Sequence, residues 1–144
     1  MAANQDHRAQ LEDICRQKGV SILYAFGSRG REVQRWFEEG AALGQQNPSD
    51  VDIAVLARRN LKWTVADKVQ LAIALEDLFD CPKVDLISLR DADPHLAADA
   101  ICGERLFAED SCQADEYDLY VLRRAGDLLP LLREWQALAL EEKK

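Results

Sequence analysis

The chain has 144 residues, of which 48% are hydrophobic and 31% charged, a composition typical of one globular domain large enough to bury a core. The net charge of −8, from 18 basic and 26 acidic residues, argues against broad contact with nucleic acid phosphates. Four scattered cysteines without C-x-x-C spacing or paired histidines argue against a zinc site, and the absence of an apolar leader or an 18-residue apolar run predicts a cytoplasmic protein without a membrane span.

The first third of the chain predicts helices and strands in alternation. Residues 4–18 carry apolar side chains at helical spacing and end before Gly19, a plausible helix stop. The run VSILYAF at 20–26 is rich in β-forming residues and is predicted to form a buried strand. Three further segments follow: a weaker helix at 29–39, a loop at 40–48 and a second strand at 51–56.

A third helix is predicted between Thr64 and Phe79, because threonine is a good N-cap and Cys81-Pro82 follows. Its apolar face is expected to consist of Val65, Val69, Ala72 and Ile73. Three elements come next: a strand at 83–89, a helix that begins at Asp93-Pro94 and ends near Gly103, and a short strand at 104–108. This order predicts an α/β (α+β) fold in which a small mixed sheet is flanked by helices.

The remainder, about 114–142, is predicted to form C-terminal helices within the same single domain, 1–144. One apolar stripe is expected to include Tyr117, Tyr120, Val121, Leu128, Leu132 and Trp135. A break is predicted near Gly126, because Asp127 can cap a new helix and Pro130 follows. The last helix carries apolar groups on more than one side, which predicts an interface with a partner protein. The alternative is a helix that only closes the domain's own core.

The first candidate functional residues are the two aspartates of the segment SDVDIAVL, residues 49–56. Side chains at i and i+2 of a strand point to the same face, so Asp50 and Asp52 are expected side by side. Two close carboxylates repel each other unless a cation lies between them, and hard oxygen ligands suit Mg²⁺ or Mn²⁺. The alternative is a pair of solvated aspartates at the start of a strand.

A phosphate site is predicted where the first strand ends at Gly27-Ser28. Glycine permits a close approach to the backbone, and N–H groups at a helix N-terminus, together with a serine hydroxyl, can hold phosphate. Arg29 and Arg31 follow and are expected to clamp a triphosphate. A plain turn is the alternative for the dipeptide.

A third carboxylate, Asp85, lies within the apolar run of the third strand. A carboxylate in such a strand costs free energy unless it is paired or bound to a metal, so Asp85 is either a metal ligand or the partner of Lys83 or Lys62. Three carboxylates can hold two cations about 4 Å apart, which orient an attacking hydroxyl and neutralise a leaving pyrophosphate.

The combination of Gly27-Ser28, Asp50-x-Asp52 and Asp85 resembles the polymerase-β-type nucleotidyltransferases. Within that superfamily, the strand SDVDIAVL and the segment Ile101-x-Gly103-x-x-Leu106-Phe107 before a terminal helix are similar to the minimal nucleotidyltransferases, the MNT or MntA-like antitoxins. The resemblance covers roughly residues 11–125.

The resemblance implies a magnesium-dependent transfer of a nucleoside monophosphate, AMP from ATP, to a hydroxyl. Asp50 and Asp52 would bind both Mg²⁺ ions (Mn²⁺ is the alternative), Ser28 would bind the triphosphate, and Asp85 would complete one metal site and help deprotonate the acceptor. In such antitoxins the acceptor is a tyrosine of a HEPN-type RNase toxin, which the modification silences. The implied partners are therefore an NTP and the toxin, without direct nucleic acid or membrane contact. A homo-oligomer and a hetero-oligomer with the toxin both stay open.

One departure from the family pattern is the long interval at 29–49 between Gly27-Ser28 and the first aspartate. It is interpreted as a loop extension, with a partner contact or a shift of Ser28 out of register as alternatives. Two other functions also stay open. One is an inactive fold that neutralises the toxin by binding alone. The other is an antibiotic-modifying nucleotidyltransferase, although the chain has little room for the second helical domain of those enzymes.

Overall fold

The computed structural model describes residues 2–44 and 49–126, with side chains from Asp6 onward. Within these residues the helices are α1 Ala2–Lys18, α2 Gly30–Glu39, α3 Val65–Phe79, α4 Pro94–Ile101 and α5 Ser111–Arg124. The strands are β1 Val20–Phe26, β2 Val51–Ala57, β3 Val84–Ser88 and β4 Glu104–Ala108. A short 3-10 turn, Gly27–Arg29, joins β1 to α2. None of the described helices is long and apolar enough to cross a membrane.

The four strands form one mixed sheet in the order β3-β2-β1-β4. Strand β1 is antiparallel to both β2 and β4, whereas β2 and β3 are parallel. Helices α1, α2 and α3 contribute to the core on one face, and α4 and α5 to the core on the other. The predicted α/β architecture with a small mixed sheet is confirmed.

The central strand β1 is buried on both faces, which explains its nearly continuous apolar sequence. Leu23 and Ala25 point into the core under α1, α2 and α3. Ile22 and Tyr24 point the other way, into the core under α4 and α5. The alternation continues in β2, where Ile53 and its i±2 neighbours join the first core while Asp52 faces the second side.

The interval between Ser28 and Asp50 is not a simple loop extension, because α2 occupies its first half. Trp36 and Phe37 of this helix are buried in the main core, so their indole and phenyl rings are not available to a partner. The His7 ring stacks on Trp36 with a centroid distance of 4.1 Å, and its Nδ1 lies 2.8 Å from the Trp36 carbonyl oxygen. The extra length therefore contributes to folding.

Helix α3 has the predicted bounds, but the predicted apolar face is wrong. Val65, Val69 and Ile73 are 76%, 51% and 51% exposed, whereas the buried side consists of Leu71, Leu75 and Phe79. The sequence carries two apolar stripes on this helix, and the one with the larger side chains packs on the sheet.

Helix starts follow local capping chemistry. Thr64 and Asp67 form a reciprocal capping box at the start of α3. Asp93 caps α4, whose first residue is Pro94, as the sequence predicts. Helix α5 starts at Ser111, three residues before the predicted position, because the Asp110 side chain accepts hydrogen bonds from two backbone N–H groups.

The predicted C-terminal stripe is described only in part. Along α5, Val121 is buried, Tyr117 is half-buried and Tyr120 is 51% exposed. The helix ends at Arg124, close to the predicted break at Gly126. Leu128, Leu132, Trp135 and the predicted final helix lie outside the described residues, and so does the interface assigned to them.

Candidate active site

The predicted site residues meet at one end of the sheet, where β1 ends and β2 and β3 begin. Asp52 in β2 is in register with Phe26, the last residue of β1, on one side and with Asp85 of β3 on the other. The parallel pairing of β2 and β3 thus places the second and third aspartates next to each other. Asp50 lies one residue before β2.

The Asp52 and Asp85 carboxyl groups lie on directly paired residues of neighbouring strands, close enough for the charge of one to affect the other. The pKa of Asp52 is raised, first by partial burial and then by the negative charges of Asp85 and Asp50. Asp85 itself is exposed, which contradicts the expectation of a carboxylate inside an apolar strand. Asp85 is the second residue of β3, which lies at the edge of the sheet.

Gly27 and Ser28 are exposed at the end of β1, beside these carboxylates. Gly27 has a φ of +74°, a left-handed conformation that favours glycine, and a Cβ at this position would overlap the Asp52 carboxylate. The dipeptide therefore remains against Asp52 despite the long interval that follows, and Ser28 follows directly in the 3-10 turn.

Asp50 is paired differently from the sequence expectation. The Lys83 ammonium lies 3.6 Å from Asp50 Oδ2, whereas the sequence offered Lys83 only as one possible partner of Asp85, as the alternative to a metal-ligand role. Both side chains of this ion pair are largely exposed, at 68% and 42%, so the pair contributes little to stability.

The acidic end of the sheet offers a place for divalent cations. Three carboxylates on adjacent strand ends supply the hard oxygen ligands that Mg²⁺ and Mn²⁺ prefer. The repulsion that raises the Asp52 pKa is the kind that a bound cation relieves. In residues 2–44 and 49–126, no three acidic, histidine or cysteine side chains already surround one point as ligands. The donor chemistry fits a metal, with Asp50 turned toward Lys83.

The Arg29 side chain is not placed to clamp a triphosphate, because its guanidinium is buried and already hydrogen-bonded within the protein. The side chain is 2% exposed. Its guanidinium donates to Glu32 Oε1 from Nε at 3.2 Å and from Nη2 at 2.5 Å. It also donates to the carbonyl oxygens of Ser49 and Gly44 at 3.1 and 3.0 Å. Arg31, by contrast, is exposed on the first turn of α2, near Ser28 in the chain.

Glu32 is a site residue that was not predicted from the sequence. Its Oε1 accepts from Arg29 and from the Gly44 N–H at 3.1 Å, and the Arg29 guanidinium is the main cause of its lowered pKa. The i, i+3 spacing of the two residues on the turn into α2 is the signal that was available.

A family model described as "Polymerase beta, Nucleotidyltransferase" matches residues 9–112, more than half of the chain. No curated protein sequence matches the chain significantly.

Several solved structures share the fold. A toxin–antitoxin structure with AMP-PNP is 25% identical with a TM-score of 0.58, and the match covers 95% of this chain and 98% of that one. A structure of the tri-AMPylated Shewanella oneidensis HEPN toxin in complex with its MNT antitoxin is 24% identical with a TM-score of 0.55, covering 98% and 99%. The toxin–antitoxin structure MntA-HepT is also 24% identical with a TM-score of 0.55, covering 97% and 99%.

Proposed function

Because this chain belongs to the polymerase beta nucleotidyltransferase family, we propose that it transfers AMP from ATP to a hydroxyl group of a protein. The observation that carries the proposal is the register of Asp52 with Asp85, beside the exposed Gly27-Ser28 turn. The reaction would take place in the cytoplasm, where ATP and magnesium are plentiful.

In this proposal Asp50, Asp52 and Asp85 hold two Mg²⁺ ions, or Mn²⁺ in their place. When bound, the ions supply Lewis acidity that lowers the pKa of the acceptor hydroxyl and neutralises charge on the leaving pyrophosphate. The Ser28 hydroxyl and the backbone N–H groups of the turn into α2 bind the triphosphate. Arg31, exposed on the next turn, adds a positive charge beside it.

Asp85 is the residue we assign to the proton transfer. Its carboxylate is exposed and lies beside Asp52 on the neighbouring strand, so an acceptor hydroxyl can reach it from solvent. It would accept the hydroxyl proton while the acceptor oxygen attacks the α-phosphorus and the bond to pyrophosphate breaks. A general base must lie within hydrogen-bond reach of that proton, and this edge position permits it.

For the acceptor we propose a tyrosine of a HEPN-type RNase toxin, so that the chain acts as an antitoxin. The support is the solved structure of a tri-AMPylated HEPN toxin in complex with an MNT antitoxin. The match covers 98% of this chain and 99% of the matched chain in that structure. The AMP-PNP bound in another of the similar complexes supports ATP as the donor.

The test is intact-mass spectrometry of this protein and a HEPN partner encoded beside it, after incubation with ATP and Mg²⁺. We expect the mass of the partner to increase by one or more AMP units. The increase should disappear in the Asp50→Asn/Asp52→Asn double variant and after chelation of the metal.

An assay of toxin silencing in cells, combined with this mass measurement, tests one of the two alternatives, neutralisation by binding alone. A double variant that still silences the toxin in cells, without any AMP on the toxin, would replace the transferase proposal with a binding protein. An unmodified toxin in the presence of wild-type protein, ATP and Mg²⁺ would overturn the proposal that the toxin is the acceptor.

A further inference from the structure

Arg29 is the one charged side chain that is buried among the described residues. Burial of a guanidinium is costly unless its N–H groups are satisfied, and here they make four hydrogen bonds to Glu32, Gly44 and Ser49. The neighbouring chain therefore supplies the acceptors that make this burial possible. The Arg29 side chain is part of the folded structure at this point.

The acceptors of Arg29 come from both ends of the long interval. Arg29 follows Ser28 directly, and its acceptor Ser49 directly precedes Asp50. Gly44 is bound twice, since its carbonyl accepts from Arg29 while its N–H donates to Glu32. One side chain thus connects the backbone after the predicted phosphate turn with the backbone before the first aspartate.

A direct role on the triphosphate fits these contacts poorly. A phosphate would have to displace two backbone carbonyls and a carboxylate from a group that is 2% exposed. We propose instead that Arg29, held by Glu32, is a positioning residue that fixes the backbone leading into Asp50. The inference rests on the proposed function, in which Asp50 is a metal ligand.

The position of Asp50 needs such support. Asp50 precedes β2, and its Lys83 ion pair is largely exposed and weak. The Val51 N–H donates a hydrogen bond to the Lys83 carbonyl oxygen at 3.3 Å, which fixes the backbone only on the C-terminal side of Asp50. The hydrogen bonds of Arg29 to the carbonyl oxygens of Ser49 and Gly44 fix the backbone on the N-terminal side of Asp50. Groups that orient metal ligands typically contribute about 10–100-fold to metal affinity.

The test compares Arg29→Lys and Glu32→Ala with two matched controls on the exposed side of α2, Arg35→Lys and Glu38→Ala. Calorimetry measures the affinity for Mn²⁺ in the presence of AMP-PNP, and separately the affinity for AMP-PNP without metal. We expect both test variants to bind Mn²⁺ about 10–100-fold more weakly, with little change in metal-free AMP-PNP binding. Both controls should match the wild type.

Hydrogen exchange gives a readout that is independent of activity. The Val51 amide, which neither Arg29 nor Glu32 touches, should exchange faster in both test variants and not in the controls. The double variant should be no worse than the poorer single variant, because the two residues act as one unit. If Arg29→Lys fails to fold, Glu32→Ala carries the same test.

Two results would overturn the inference. One is unchanged Mn²⁺ affinity and Val51 exchange in Glu32→Ala. The other is a loss of metal-free AMP-PNP binding in Arg29→Lys alone, which would make Arg29 a phosphate ligand. The proposed function fails separately, through wild-type protein that binds neither Mn²⁺ nor AMP-PNP.

Discussion

The Asp52 carboxylate lies where the fold disfavours its charge. Partial burial and the neighbouring Asp85 and Asp50 all raise its pKa. A raised carboxyl pKa means that stability is present while the group is protonated and decreases as the pH rises through the folded pKa. At neutral pH and without a cation, the ionised group therefore destabilises the fold.

We accordingly expect Asp52→Asn to melt at a higher temperature than the wild type when metal is absent. The rise should be about 2–4 °C for each kcal/mol of repulsion removed. Addition of Mn²⁺ should stabilise the wild type and leave the variant unchanged, because the cation relieves the same repulsion. Scanning calorimetry with and without Mn²⁺ measures both effects, with the exposed Asp99→Asn as control. A variant that melts lower than the wild type would make Asp52 a structural residue.

The aspartates and Arg29 show which parts of the site the sequence could predict. The i, i+2 spacing placed Asp50 and Asp52 correctly before and within a strand. The pairing of Asp85 with Asp52 depends on the parallel register of β2 and β3, which the sequence did not predict. The contacts of Arg29 could not be predicted in this way, because two of its partners are the backbone carbonyls of Gly44 and Ser49. A carbonyl acceptor leaves no signature in side-chain type.

At the level of elements, local signals fixed where helices and strands begin and end. The bounds of β1, β4 and α3 agree with the predicted ones, because glycine, proline and capping residues flank them. Local signals did not predict which side of α3 packs against the sheet, because the helix carries two apolar stripes and both have helical spacing. Packing against the sheet selects Leu71, Leu75 and Phe79, and this choice depends on residues distant in sequence.

The two stripes of α3 give a direct prediction for stability. Leu75→Ala should lower the free energy of unfolding by about 2–5 kcal/mol, because it leaves a cavity in the main core. Ile73→Ala, at a side chain that is 51% exposed, should change it by about 0.5 kcal/mol. Urea unfolding of the two variants measures the difference. Equal losses would mean that the exposed stripe is covered in the folded protein.

The start of α3 gives a second prediction at this scale. Thr64 accepts a hydrogen bond from the Asp67 N–H, and Asp67 accepts one from the Thr64 N–H at 2.8 Å. Thr64→Ala removes the first of these and should reduce the free energy of unfolding by about 0.5–2 kcal/mol. Thr64→Ser retains the hydroxyl and is the matched control. A similar loss in both variants would show that the γ-methyl group, not the cap, stabilises this end.

For the whole molecule, Tyr24 connects the central strand to helix α5 on the second face of the sheet. Its hydroxyl donates to the Asp118 carboxylate of α5, and Arg105 of β4 lies 3.5 Å from the same carboxylate. Burial and this hydrogen bond raise the pKa of Tyr24 well above its ordinary value. Burial also raises the pKa of Tyr117 to about 12 and the pKa of Cys15 to about 12. Three protonated groups on both faces of the sheet therefore resist ionisation in the folded state.

These raised pKa values predict an alkaline limit to stability. The unfolded chain loses the Cys15 proton near its ordinary pKa of about 8.5 and the tyrosine protons near about 10, while the folded chain keeps them. The stabilising contribution is thus fully present below the unfolded pKa and lost as the pH rises toward the folded one. Each retained proton lowers the free energy of unfolding by at most about 1.4 kcal/mol per pH unit, and by less for the partly exposed Tyr117. Urea unfolding at pH 8, 9, 10 and 11 in reductant should show a steepening decline.

The decline should be shallower above pH 10 in Tyr24→Phe and shallower from pH 9 in Cys15→Ala, since each variant lacks one retained proton. At pH 8, Tyr24→Phe should already be about 1–3 kcal/mol less stable, because Asp118 loses a hydrogen bond while it stays partly buried. The curves of wild type and Tyr24→Phe should therefore converge as the pH rises. Cys112→Ala, at an exposed thiol, is the control and should run parallel to the wild type. Parallel curves for all variants would mean that the buried hydroxyl and thiol ionise in the folded protein as readily as in the unfolded chain.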